Sequence, residues 1–303
     1  MPWIKSKPKP RPELAVTTTF EAIGTSWQID LYDDHGDDRA EVCLAAVQER
    51  IDQFDLAYSR FRPDSLVSAM ARKAGEYDLP ADAGPMIELY QQLYDLTDAA
   101  MTPLIGQTLV EAGYDSSYSL RESTLTPVPA WPKVASWDGQ RLALSQPALL
   151  DFGAAGKGYL VDLVSAVIEA HGFVAYTVDA GGDLKHRGAG REALRVGLEH
   201  PDDRAQVIGL AAITDASLCG SAGNRRRWGR WHHVVNPHTM SSPEAVKAVW
   251  VVAAEALMAD ALTTALFFVE PAQLLPSFDF EYVIIYEGML AQASPNWPGQ
   301  LYS

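Results

Sequence analysis

The sequence predicts an α+β protein with a mostly antiparallel sheet core flanked by helices. Two observations carry this. Strand-like runs are frequent along the chain. Several are joined by tight-turn signals, of which Asp138-Gly139 is the clearest. Strands are too frequent and too often hairpin-linked for a doubly wound parallel sheet.

Two short strands open the chain, at 14–20 and 26–31, and the polar run 33–38 follows. From 38 to 58, Val42, Ala46, Ile51 and Phe54 approximate a helical period. Asp64 or Ser65, after Pro63, is placed to cap a second, short helix. A third helix is expected over 85–97, with Met86, Leu89, Leu93 and Leu96 facing inward. Residues 114–132, rich in Ser, Thr and Pro, read as a surface excursion. A hairpin follows at 134–144. Residues 148–152 lead into Gly153-Ala-Ala-Gly-Lys-Gly158 and a helix over 159–170, ended by Gly172. Further strands are expected at 173–178, 194–198, 207–213, 217–221, 231–235 and 246–253. A helix at 256–269 and a hairpin around 282–293 complete the pattern. Residues 1–12, basic and Pro-rich, read as a flexible tail, and 13–303 as a single domain.

The chain has 303 residues, 48% of them apolar and 21% charged, which suits a folded globular protein. Its 24 Lys and Arg against 39 Asp and Glu give a net charge of −15. That balance speaks against nucleic acid or an anionic membrane as the main partner. Cys43 and Cys219 lie in no metal-binding pattern and make no disulfide framework. Glu255 and Asp260 interrupt the most apolar stretch, 248–269, so no integral membrane segment is expected. Neither a signal-peptide run nor a lipoprotein cysteine opens the sequence, and a cytoplasmic protein is expected.

Four segments are suited to chemistry. In Asp151-Phe-Gly-Ala-Ala-Gly-Lys-Gly158, small residues between strand and helix let backbone approach a ligand. Free amides at the helix start and the charge of Lys157 attract phosphate. It is neither a P-loop nor GxGxxG. A tight packing turn is the structural alternative. In Val178-Asp-Ala-Gly-Gly-Asp183, two carboxylates flank a di-glycine turn, for ligand binding or for Asx capping. Ser221-Ala-Gly-Asn-Arg-Arg-Arg-Trp228 precedes Trp231-His-His-Val-Val-Asn-Pro237. Its three arginines either steer an anion or form a solvated hairpin tip. His232 and His233 point to opposite sides of a strand, so at most one enters a given site. In Met258-Ala-Asp-Ala-Leu-Thr-Thr-Ala265, Asp260 and Thr264 share a helix face. Their hard oxygens suit Mg²⁺, unless Thr264 bonds back to the Asp260 carbonyl. Together the four describe a site for a phosphate- or pyrophosphate-bearing ligand with Mg²⁺.

The order and spacing of IGTSW, SRFRPDS, AAMTPLIG, DFGAAGKGYLVD, VDAGGD, HHVVNP and MADALTTALF resemble the ApbE family of FAD:protein FMN transferases, over about residues 21–269. The resemblance implies an ApbE-like, T-fold-like architecture. It implies that FAD is the substrate and that FMN passes to a Thr or Ser hydroxyl of an acceptor protein carrying a flavinylation motif, with release of AMP. It also implies Mg²⁺ on Asp260, Thr264 and the backbone oxygen of Ala154. Asp151 and Lys157 match nucleotide contacts. Phe61, the turn Ala100-Met101-Thr102, Val235 and Ile23 match further FAD contacts. His233 matches the group that assists proton transfer, and Asp183 is a second catalytic candidate. Three departures stand out: Ile23 for a usual Met, Thr102 for a usual Asp, and Thr239-Met240 for Thr-Gly. Hydrolysis of FAD to FMN and AMP, or FAD binding without catalysis, would use the same residues.

Overall fold

In the computed structural model, the structure describes residues 15–33, 37–190, 192–224 and 226–302. The expected tail at 1–12, and Arg225 of the arginine run, lie outside them. The chain opens with a hairpin of β1 (Val16–Ala22) and β2 (Thr25–Leu31), closed by Ile23 and Gly24. Both turn residues have positive φ, 44° and 76°, the twist that suits a two-residue hairpin.

Helix α1 (Asp37–Tyr58) buries Ala40, Cys43, Val47, Ile51 and Phe54 at helical spacing. Ile51 and Phe54 face inward as expected, whereas Val42 is 60% exposed and Cys43 and Val47 take the inner places in the first half of the helix. Short α2 (Leu66–Met70) is capped by Ser65, whose hydroxyl accepts from Ser68 N at 3.0 Å. Then come β3 (Gly75–Asp78), α3 (Gly84–Leu96), a 3-10 turn at Pro103–Ile105, α4 (Gly106–Glu111) and α5 (Trp131–Val134). Strands β4 (Ala135–Trp137) and β5 (Arg141–Leu144) form the Asp138-Gly139 hairpin, and β3 pairs with β5.

Helix α6 (Gly156–Ala170) starts within the glycine-rich loop, and β6 (Tyr176–Asp179) and β7 (Leu184–Arg187) follow. A small antiparallel unit contains β8 (Leu194–His200) and β9 (Asp203–Ile213). After β10 (Ala216–Ala222) comes a hairpin of β11 (Arg227–Trp228) and β12 (Trp231–His232). The strand expected at 231–235 is thus only two residues long. The chain continues through β13 (Val246–Ala253), α7 (Ala256–Ala265) and α8 (Pro271–Leu274). It closes with β14 (Glu281–Tyr286), β15 (Ala291–Ala293) and β16 (Gly299–Leu301). Helix α7 stops four residues short of the expected 269.

The main sheet has the order β1-β2-β6-β7-β10-β13-β14-β15, with every neighbouring pair antiparallel. Strands β16, β9 and β8 form a second sheet, also antiparallel. The expected α+β class therefore matches. Helices α1, α6 and α7 share the large core with the inner face of the main sheet. Helix α7 is apolar on nearly all sides and correspondingly buried. Among the described residues, no helix is long and apolar enough to cross a membrane.

The pairing of α6 with α7 positions the site. A Cβ on Gly158 would lie 2.2 Å from the Ala256 carbonyl oxygen and 2.5 Å from Asp260 Cβ. Only glycine permits this approach. Asp162 of α6 accepts from the amides of Ala256 and Leu257 at 3.1 and 2.8 Å. It caps α7 from a neighbouring helix and opposes the positive end of its dipole. Lys185 of β7, itself buried, pairs with Asp162 at 2.8 Å and also with Glu255.

Candidate active site

A cavity of about 480 Å³ opens where the first turns of α6, the inner face of α7, β10 and the β11–β12 hairpin meet. All the sequence-predicted site residues line it except Ile23. Ile23 instead forms the β1–β2 turn, and Gly24 and Thr25 reach the cavity at that corner.

The loop before α6 supplies the first wall. Asp151 Oδ1 accepts from Gly153 N at 2.7 Å, which shapes the turn into the helix. Arg60 pairs with the other Asp151 oxygen and donates to Tyr114 O at 2.7 Å. Its guanidinium lies 4.1 Å from the Phe61 ring centre and 4.7 Å from that of Tyr114. The Asp151 carboxylate therefore reaches the cavity already neutralised. Thr102, in the place of a usual Asp, accepts from Leu104 N at 3.2 Å and caps the 3-10 turn. Met101 is tied through its amide to the Thr97 hydroxyl at 2.9 Å. Val235 belongs to an apolar cluster with Leu109, Tyr114, Trp228 and Trp231.

Lys157, in the first turn of α6, forms an ion pair with Asp183, which is 1% exposed. Asp183 also accepts from Gly220 N at 3.2 Å, which ties the loop to β10. Burial draws the Lys157 ammonium below its ordinary value, and the nearby Asp260 opposes this. The two carboxylates of VDAGGD thus divide their work. Asp179 accepts from Gly182 N at 2.9 Å as a turn cap, while Asp183 faces the cavity.

Asp260 is 4% exposed and accepts from Gly158 N at 2.8 Å. Burial pushes its carboxyl up to about 6, against the lowering effects of Lys157 and the Gly158 amide. Its other oxygen takes no hydrogen bond from a described residue. The sequence left open whether Thr264 bonds back along the helix. The neighbouring Thr263 does so instead, donating to the Asp260 carbonyl at 2.7 Å and meeting Ser221 Oγ at 2.8 Å. The Thr264 hydroxyl remains at the cavity without such a bond. Among the described residues, no group of three or more His, Cys, Asp or Glu is placed to hold a metal. A cation here would depend on mixed oxygen donors: the Asp260 carboxylate, the Thr264 hydroxyl and the Ala154 carbonyl. A buried carboxylate with a spare oxygen beside a spare hydroxyl fits a hard divalent cation.

The two histidines separate, although β12 ends at His232 and His233 lies in the bend that follows it. His232 is buried, with Nε2 2.9 Å from Pro243 O and its amide bound to Ser242 Oγ. His233 lines the cavity, and its Nδ1 is buried with no hydrogen-bond partner. Burial first, then the charges of Arg226, His232 and Lys157, lower its pKa to about 3, so its imidazole is neutral at pH 7. Arg226 lines the cavity and donates to the Tyr114 hydroxyl at 2.9 Å, whereas Arg227 is exposed in the hairpin.

A model of the ApbE family matches residues 23–280. The chain belongs to the ApbE family. The FAD:protein FMN transferase of Treponema pallidum is 25% identical over 275 residues, covering 81% of this chain and 76% of that protein. The Rhodobacter capsulatus protein of the same name is also 25% identical and covers 83% of this chain. The match takes in about half of that longer relative, 51%. Among solved structures, the ApbE protein of Thermotoga maritima superposes with a TM-score of 0.81 at 21% identity, covering 93% of this chain and 97% of that one. Flavin transferase ApbE from Vibrio cholerae gives 0.77 at 19% identity, with coverages of 92% and 97%. At these identities the structures establish a shared fold.

The geometry also adds residues to this ApbE-family cavity that sequence reasoning missed. Tyr90 of α3 is buried at its wall, with an unpaired hydroxyl. Trp250 of β13, and Gly197 and Arg204 of the second sheet, line the far side. None sits in a recognisable motif, and each arrives through tertiary packing. The departure at Met240 has a structural reading too. Met240 takes φ 53°, the left-handed conformation that glycine would adopt. A residue with a side chain is thus held in a strained conformation at this turn. Met240→Gly is expected to raise stability by about 0.5–1 kcal/mol, because the strain relieved exceeds the added chain entropy. Urea denaturation of the two proteins checks this.

Proposed function

We propose that the chain transfers FMN from FAD to a Thr or Ser hydroxyl of an acceptor protein, with AMP as leaving group and Mg²⁺ as the assisting cation. The observation that carries this reading is the convergence of three groups on one cavity: the Asp260/Thr264/Ala154 oxygens, the Lys157–Asp183 pair and the neutral His233. The names of the Treponema and Rhodobacter relatives support it.

The chemistry is phosphoryl-type transfer, governed by positioning and charge neutralisation. The acceptor oxygen forms a bond to the FMN phosphorus as the bond from that phosphorus to the AMP oxygen breaks. The hydroxyl proton leaves to solvent, and the neutral His233 at the cavity wall assists its departure as a hydrogen-bond partner of the hydroxyl. Lys157, in the first turn of α6, offsets negative charge on the phosphates. Asp183 holds the Lys157 ammonium in place. Asp260, Thr264 and the Ala154 carbonyl would hold the cation, which when bound neutralises charge developing on the pyrophosphate. Phe61, Asp151, the turn at 100–102 and Val235 line the FAD side. The test is to incubate the chain with FAD, Mg²⁺ and candidate acceptor proteins and to weigh the acceptors. A mass gain of one FMN unit with AMP release is expected; no gain on any acceptor overturns the reading.

The raised carboxyl of Asp260 makes cation binding pH-dependent. Below about 6 the folded chain holds a proton that the unfolded chain releases near the usual 3.8. In cation-free protein this group therefore stabilises the fold at acid pH, and the contribution is lost as pH rises through about 6. A cation needs the ionised carboxylate, so its affinity should fall about tenfold for each pH unit below 6. Calorimetric titration of Mg²⁺ at several pH values measures this, and Asp260→Asn should flatten the dependence.

A further inference from the structure

The main sheet is incomplete beside the cavity. Strand β10 pairs with β13 along its whole length, from Ser217 to Ala222, but with β7 only from Ala216 to Leu218. Gly223 N donates to Lys247 O at 3.0 Å, which sets the alternation of the ladder. Cys219, Ser221 and Gly223 turn their backbone groups toward β13, whereas Gly220 and Ala222 turn theirs toward the missing continuation of β7. Asp183 satisfies the Gly220 amide. The Gly220 carbonyl and both backbone groups of Ala222 form a free edge among the described residues, and both residues line the cavity.

A second free edge faces the same space. Strand β8 pairs only with β9 among the described residues. Ile208 and Ala212 of β9 bond toward the β16 side, so the same alternation aims the backbone groups of Gly197 away from β9. Gly197 is exposed and lines the cavity.

We propose that the acceptor protein presents its hydroxyl residue on a short extended segment that pairs with the free edge of β10 at Gly220–Ala222, with β8 at Gly197 as the opposite rim. This rests on the transferase reading above and names how its second substrate is recognised. Unpaired amides and carbonyls at strand spacing complement another polypeptide backbone, and strand addition to an exposed edge is a general mode of peptide binding. The edge is also continuous with the chemistry. Asp183, which closes it at Gly220, is the partner of Lys157. A segment laid along Ala222 therefore ends beside the phosphate-neutralising lysine.

The probe is a peptide that the unaltered chain flavinylates, selected from a library of Thr- and Ser-containing peptides. Ala222→Pro removes the free amide and leaves the β13 ladder intact. It is expected to raise KM for that peptide about tenfold, with FAD affinity unchanged, and Ala222→Ser should behave as the unaltered chain. Independently, N-methylation of the peptide at successive residues, with the unaltered chain, should impair transfer at alternate positions only. Equal sensitivity at every position, or none, overturns the inference. So does an Ala222→Pro protein that keeps the peptide KM, or that loses FAD affinity by the same factor. If the unaltered chain modifies no peptide and no protein, it is the transferase reading that falls, and the inference falls with it.

Discussion

Asp260→Ala is expected to lower cation-dependent FMN transfer about 10³-fold, because a cation that stabilises transition-state charge contributes several kcal/mol and each 1.4 kcal/mol is a factor of ten. The fold should survive. The substitution removes a carboxylate whose burial already costs energy, as its raised pKa shows. It leaves the Gly158 amide unsatisfied, at a cost of about 1–3 kcal/mol, and the two effects oppose each other. Circular dichroism and a thermal melt should therefore stay near those of the unaltered protein while Mg²⁺-dependent turnover disappears. Asp260→Asn retains an acceptor for Gly158 N and should be stable, but equally inactive. Transfer at the original rate in either variant would place the cation elsewhere.

The second large effect is expected from Gly158→Ala, a change of one methyl group. That methyl would lie 2.2 Å from a backbone oxygen of α7 and 2.5 Å from Asp260 Cβ, and neither belongs to a flexible side-chain end. The helices must separate, at a cost of about 1–3 kcal/mol. The shift also moves the Asp260 and Thr264 oxygens relative to Ala154. A displacement of about 1 Å in such a site costs about 10²-fold in rate. Stability by urea titration and turnover with saturating FAD would separate the two consequences. A variant with unchanged stability would show that α6 and α7 do not meet as described.

Much of the site is legible in the sequence because its groups lie in short motifs. The loop at 151–158 carries its own helix start, and Asp260 and Thr264 need only an α-helical repeat to share a face. The histidine pair is legible in outcome only: one ring reaches the cavity, but His233 does so from the bend after β12 and not by strand alternation. Strand β7 is not legible: Leu-Lys-His-Arg has no apolar alternation, yet Lys185 and His186 are buried there. Lys185 is tolerated because Asp162, twenty-three positions earlier, and Glu255 neutralise it. No local pattern reports such a partner. In α1 Ile51 and Phe54 face inward as the period indicates, but Val42 and Cys43 are equally plausible inner residues until the rest of the core selects one. Tyr90 and Trp250 are aromatic residues on ordinary elements, and only the closing of the fold places them beside the cavity.

The contact at Gly158 and the cap that Asp162 places on α7 join two helices at zero clearance. The Asp260 and Thr264 oxygens and the Lys157 ammonium are set on the two sides of this contact. The open edge of β10 lies within the main sheet, backed by β13 and tied to Asp183 through the Gly220 amide. A change that loosens the seam between α6 and α7 therefore disturbs Asp260, Thr264 and Lys157 together, because all three hang on the same pair of helices.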